Sequence, residues 1–273
     1  HVDFLRLGTV ASLREMLAVR QRHYAAVVAA LPANRWEYNL IQVLAGGRRI
    51  GHRYLHCDRR NFNFLKQDWL FEDDDLHVVE KNLQLLPFLG VAVPPQPAAL
   101  SMTITDADAR AATAWLEAQA PSARQMIGLH PGSALFKNHI KKRWSKERFA
   151  QLARHCVDTL DVTVLVFGED SEQELKDFVV TAAERPERVL AVNATSLRVS
   201  AALIGRCTAM VTNDSALMHV AAAMQTPVVA IFAYTNAKGL YPWRVPHRIV
   251  RRHLPCSPCF YYSPRPARCH TNI

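Results

Sequence analysis

The chain has 273 residues, 49% hydrophobic and 21% charged, enough to bury a core as one large domain or two of ordinary size. No apolar run approaches the roughly eighteen residues a membrane helix needs, which excludes such a segment within these residues. The formal net charge of +9 sits in the last third, where residues 188–273 carry ten Lys and Arg against one acid, Asp214. Such a block attracts nucleotide diphosphates, phosphorylated lipid headgroups or nucleic acid, and its plainer reading is a solvated basic surface.

Apolar runs alternate with helical patterns along the chain, the signature of an α/β fold built on a mainly parallel sheet. Tyr24–Leu31 is expected to be a buried strand stopped by Pro32, and Tyr38–Leu44 a short helix running into Gly46-Gly47. Leu76–Leu89 shows helical spacing and ends at Gly90; the proline-rich Val91–Leu100 then reads as a linker. A helix follows from Asp106 to Ala120, closed by Pro121.

Beyond it the β-loop-α cycle is regular. Strands are predicted at Met126–His130, Val162–Phe167, Ala209–Thr212 and Val228–Phe232. Helices are predicted at Lys146–Leu160, Ser171–Glu184, Ser196–Ile204 and Ser215–Met224, with Ser171 as N-cap of the second and Glu174 three residues on. Strands separated by helices of this length imply right-handed crossovers and a doubly wound sheet, whose ligands sit at the carboxyl ends of the strands.

Three post-strand loops carry the chemistry. In Met210–Phe232 a strand leads through Asn213-Asp214-Ser215 into an Ala-rich helix bearing His219, which gathers free helix amides, a hydroxyl and an imidazole where an anion would be welcome. Asp214 is expected to cap or orient that helix, and the bland reading of His219 is a packed core histidine. In His130–Trp144, Pro-Gly-Ser follows a strand, and a basic loop with Lys137, Lys141, Lys142 and Arg143 precedes a helix. Gly132 permits close backbone approach, Ser133 can donate to a phosphate oxygen, and a lysine can reach the same anion. In Phe167–Glu172 a strand end and glycine precede acids suited to ribose hydroxyls, or equally to a first helical turn.

Taken in order, H-P-G-S, K-x-W, G-x-x-x-E, N-D-S-x-x-x-H and A-A-x-x-x-x-P-V-V-A-I-F resemble glycosyltransferase family 9, the ADP-heptose:lipopolysaccharide heptosyltransferases. The resemblance is specific from Ile127 to about Cys259, with shorter matches at Arg49-Ile50-Gly51 and His77–Asn82. It implies a GT-B fold of two Rossmann-like doubly wound domains facing a cleft, divided here into residues 1–122 on the acceptor side and 123–273 on the nucleotide-sugar side. The family's first strand and the turn carrying its presumed base have no match, so the first domain is expected to lack its first βα unit and the catalytic base is not identified.

By resemblance, Ser133 and Lys142 belong to the diphosphate, Glu172 to the ribose, and Asp214, Ser215, Ala216 and His219 to the helix-end phosphate and sugar. Lys142 is preferred over Lys141 because it stands two before Trp144. The implied reaction is inverting transfer of a heptose from ADP-heptose to a lipopolysaccharide core or similar acceptor, without metal or other cofactor. Ala216 replaces the family's glycine and Ala233-Tyr234-Thr235 its Gly-Pro-Thr turn, so a GT-B enzyme using a UDP-sugar remains an alternative.

A second alternative is a nucleic-acid-binding module built on the basic last third and Cys256-Ser-Pro-Cys259. It lacks the aromatic stripe or second C-x-x-C pair such modules use, and no nucleic acid is expected. Cys256, Cys259 and Cys269 could ligate a metal with His253 or His270, but unpaired structural thiols are expected instead. Scattered cysteines suit a reducing compartment; the expected location is cytoplasmic, with peripheral contact at the anionic inner face of a bacterial inner membrane.

Overall fold

The computed structural model describes residues 9–31, 35–54, 57–120, 122–134, 140–194, 196–255 and 257–258. The chain divides into two compact units, the first ending at Pro97 and the second beginning at Ala98. This division lies within the proline-rich linker rather than at the boundary of 122 expected from the sequence. The helix Asp106–Gln119 accounts for the difference: its Ala112 is fully buried in the core of the second unit, and Thr113 Oγ1 accepts from Arg206 of that unit at 2.5 Å.

The first unit runs α1 (Thr9–Gln21), β1 (Ala26–Ala29), α2 (Trp36–Ala45), β2 (Arg48–Arg53), β3 (Asp68–Phe71) and α3 (Val78–Leu83). Its three described strands are parallel in the order β1-β2-β3, with Val28 opposite Ile50 and Ile50 opposite Asp68. β1 was expected to be buried, yet Val28 is 40% exposed, because β1 is the edge of the described sheet. Gly46 and Gly47 end α2 with φ of 79° and 75°, and a Cβ on Gly47 would stand 2.3 Å from the Tyr24 carbonyl. Only glycine lets the chain turn there into β2 beside β1.

Buried side chains then lock the layer. Gln42 Nε2 donates to the carbonyls of Val27 and Ile50, at 2.7 and 2.9 Å, tying α2 to both strands. Lys66 Nζ donates to Asn39 Oδ1 and Asn63 Oδ1; with neutral partners, burial pushes its ammonium down to about 8. Leu76–Leu89 is not one helix: α3 stops at Leu83 and a separate 3-10 turn occupies Leu86–Leu89, with Pro87 at its start.

The second unit runs α4 (Asp106–Gln119), β4 (Met126–His130), α5 (Lys146–Leu160), β5 (Thr163–Val166), α6 (Gln173–Ala183), β6 (Val189–Ala191), α7 (Leu197–Ile204), β7 (Ala209–Asn213), α8 (Ala216–Ala223), β8 (Val228–Ile231), α9 (Ala237–Leu240) and β9 (His247–Val250). All six described strands are parallel, in the order β6-β5-β4-β7-β8-β9. The chain therefore winds outward from β4 in one direction, then returns to β4's other side and winds the opposite way. That reversal places a crevice between the carboxyl ends of β4 and β7.

Alternation along β5 shows how the sheet is covered on both faces. Val164 and Val166 pack with Phe149, Ala153 and Val179 of α5 and α6, while Leu165 packs with Leu203 and Met218 of α7 and α8. One helix start differs from expectation. Ser171 does not cap α6; a 3-10 turn at Asp170–Glu172 precedes it, closed by reciprocal bonds between Glu169 and Glu172. Glu172, the last residue of that 3-10 turn, is buried.

Candidate nucleotide-sugar site

The residues ending β4 and β7 meet at the point where the winding reverses. Asn213 is fully buried and fastens three segments: its Nδ2 donates to the carbonyls of Pro131 and Gly132, and its Oδ1 accepts from the Trp144 amide at 2.9 Å. This one carboxamide holds the Pro-Gly-Ser turn and the start of α5 against the β7 end. An aspartate there could accept from the Trp144 amide but could not donate to the two carbonyls.

Around that anchor lie two buried charged groups. Lys142 Nζ donates to Asp214 Oδ2 at 2.7 Å, and Thr235 Oγ1 donates to the same oxygen at 2.7 Å. Asp214 therefore does not cap α8, as the sequence suggested. The N-cap position belongs to Ser215, whose side chain makes no cap bond, so the amides of the first turn of α8 keep their capacity for another acceptor. Lys142 is buried whereas Lys141 is half-buried, which distinguishes two lysines adjacent in sequence.

The second group centres on Glu172. Its Oε1 accepts from Arg143 Nη2 at 2.7 Å, and its Oε2 from His130 Nε2 at 3.2 Å and the Glu169 amide at 3.3 Å. Burial opposes its ionised form, but His130, Arg143 and the Glu169 amide together hold the carboxyl below the usual carboxylate value. Three of about four lone-pair directions are thus taken by protein. A Cβ on Gly132 would stand 2.0 Å from Glu172 Oε1, so the glycine is needed for carboxylate and turn to approach. Arg143 also donates to Ser133, through Nε to Oγ at 3.2 Å and through Nη2 to its carbonyl.

The ring of His130 joins the two groups, with Nδ1 2.9 Å from Ser215 Oγ. For His219, one turn into α8, burial lowers the imidazole pKa, against the attraction of Asp214. Ala216, the first residue of α8, is exposed. Ser133, Lys142, Glu172, Asp214, Ser215, Ala216 and His219 therefore come from the segments that follow β4, β5 and β7 in the chain, at one end of one sheet.

Sequence reasoning gave no role to His130, Arg143, Asn213 or Thr235. Arg143 was hidden in a basic run, and the only signal for Thr235 was that the family's turn ends in threonine. Lys137, Cys256, Cys259 and Cys269 lie outside the described residues. Among the described residues no group of three His, Cys, Asp or Glu could hold a metal ion, and no helix is long and apolar enough to cross a membrane. Buried Cys156 and Cys207 are thiols whose ionisation burial disfavours, Cys207's being pushed up to about 12.

A 3-2-1-4-5-6 parallel sheet with polar loops gathered at its switch point defines a Rossmann-like nucleotide-binding unit. The profile of glycosyltransferase family 9 (heptosyltransferase) matches residues 17–268, and the chain belongs to that family.

Lipopolysaccharide heptosyltransferase 2 of Escherichia coli is 33% identical over 133 residues, 48% of this chain and 37% of that protein. Lipooligosaccharide heptosyltransferase 2 of Haemophilus influenzae is 29% identical over 203 residues, 72% of this chain and 54% of that protein. The chain thus spans about half or less of these relatives' length. The structure of the E. coli ADP-heptose lipopolysaccharide heptosyltransferase II superposes with a TM-score of 0.69 at 23% identity, covering 89% of this chain and 73% of that one. The fold is therefore GT-B in type, and family membership sets aside the nucleic-acid-binding module.

Proposed function

We propose that the protein is a heptosyltransferase, moving a heptose from ADP-heptose to a lipopolysaccharide core or similar acceptor with inversion at the anomeric carbon. The observation that carries the reading is the buried Lys142–Asp214 pair beside the uncapped amides of α8, at the switch point of a family 9 sheet. An incoming diphosphate would compete with Asp214 for the ammonium and accept from the helix amides. Ser133 would donate to the same diphosphate, Glu172 would use its remaining lone pair on a ribose hydroxyl, and Ala216 and His219 would border the sugar.

In the reaction, an acceptor hydroxyl oxygen forms a bond to the anomeric carbon as the carbon–oxygen bond to the β-phosphate breaks. The electron pair leaves with ADP, and the acceptor's proton passes to a base. Charge grows on the departing diphosphate, so Lys142 and the α8 amides act where the transition state differs most from the bound donor. The test is mass-spectrometric detection of a heptose added to a lipid A–core acceptor from ADP-heptose. Transfer from UDP-sugars but not from ADP-heptose would overturn the donor assignment.

A cytoplasmic location with peripheral contact at an anionic membrane face belongs to the same reading. Arg244, Arg248, Arg252 and His253 are exposed around β9, and no acid follows Asp214 to oppose them. Co-sedimentation with anionic but not neutral vesicles, weakened by salt, is the expected behaviour; equal recovery with both would overturn it.

A further inference from the structure

The imidazole of His130 occupies a place the reading above leaves unused. It is 4% exposed and spans the site, with Nε2 on the Glu172 carboxylate and Nδ1 on the Ser215 hydroxyl. Thr212 Oγ1 lies 3.2 Å from Ser215 Oγ and 3.4 Å from Nδ1, while its own proton goes to the Asn213 carbonyl at 2.9 Å. An ionised carboxylate only accepts, so Nε2 carries the hydrogen it donates to Glu172. In a neutral ring Nδ1 is then only an acceptor. The Ser215 proton then has Nδ1 and Thr212 Oγ1 as acceptors within reach, and while it is given to either the hydroxyl presents lone pairs to anything arriving from outside.

Lone pairs facing a phosphate oxygen repel it. If the ring gains a proton, Nδ1–H donates to Ser215 Oγ and the hydroxyl proton is released toward an anion. We propose that His130 is a positioning residue that couples the ribose-side carboxylate to the phosphate-side hydroxyl, and that nucleoside diphosphate binding is linked to protonation of its ring. The inference rests on the donor-site reading above. A bound diphosphate favours the imidazolium and the imidazolium favours the diphosphate, so affinity is higher at low pH and falls as the ring loses its proton.

The charged groups on the surrounding elements are Glu172 ahead of α6, Arg143 and Lys142 ahead of α5, Asp214 after β7, and His219 on α8. Lys142 is matched by Asp214, and the Glu172 carboxylate is shared, with Oε1 on Arg143 and Oε2 on the His130 ring it would steady when charged. The nucleotide's terminal phosphate also titrates, but identically for every variant.

The experiment is calorimetric titration of ADP into the wild-type chain, His130→Gln and Ser215→Ala, each at about pH 6 and about pH 8, with thermal unfolding to verify that each is folded. Glutamine keeps an N–H for Glu172 but cannot take up a proton; Ser215→Ala keeps the ring but removes the hydroxyl it controls. Wild type should lose about threefold or more affinity beyond the loss in either variant, one linked proton being able to give at most about tenfold per pH unit. Equal pH dependence in all three overturns the inference alone. If His130→Gln does not fold, Ser215→Ala decides by itself, and full retention of the wild-type pH dependence in it overturns the inference. No ADP binding by wild type at either pH overturns the donor-site reading and the inference together.

Discussion

Replacing Asp214 by alanine separates two accounts of that residue by their size. Loss of a helix N-cap costs about 1 kcal/mol. In the structure, however, Asp214 is the partner of a lysine, and the two side chains are 5% and 8% exposed. Removing one member of so buried a pair leaves an ammonium without its counter-charge, a cost of about 3–5 kcal/mol. It also leaves the Thr235 hydroxyl without its acceptor. Urea unfolding of wild type, Asp214→Ala and Asp214→Ala/Lys142→Met measures the difference. The single variant should lose about 3–5 kcal/mol, and the double variant should recover much of it, because methionine leaves no charge to desolvate. A loss of about 1 kcal/mol in the single variant, or no recovery in the double, would refute the pairing argument.

Lys142→Ala should weaken ADP binding by about 1.5–3 kcal/mol, and Lys141→Ala by clearly less; equal losses in calorimetric titration would mean that the loop acts only through its overall field. Gly132→Ala should greatly weaken nucleotide binding, because its Cβ would displace the Glu172 carboxylate, while circular dichroism shows the fold retained. His52, 2% exposed, has its pKa lowered by burial to about 4 from 6.5. Between those values the unfolded chain binds the proton and the native chain does not, so stability falls as pH drops through that window, by about 3 kcal/mol at most. Urea midpoints against pH should show this slope in wild type and not in His52→Gln.

The second unit was largely legible in sequence because its strands are apolar runs bounded by glycine or capping residues. Met126–His130 and Lys146–Leu160 fall where the sequence placed them. β2 escaped because Arg-Arg-Ile-Gly-His-Arg has neither alternation nor an apolar run; its burial comes from packing around Ile50, Gly51 and His52. β3, β6 and β9 are only three or four residues long, too short for a period to show. In the site, the loops could be located from their positions after strands, but the partners could not. Sequence places Asp214 beside a helix start, where a cap is the local expectation. The lysine 72 positions away that claims it is visible only once β4 and β7 are neighbours. His130 and Glu172, 42 apart, are the same case.

The most direct measurement is a crystal structure of the protein with ADP bound. The account predicts the diphosphate at the carboxyl ends of β4 and β7, accepting from the first-turn amides of α8 and from Lys142 Nζ, which will have turned from Asp214 toward a phosphate oxygen. A nucleotide bound elsewhere, or one bound there with Lys142 still paired to Asp214 and no phosphate within hydrogen-bonding reach, would contradict it.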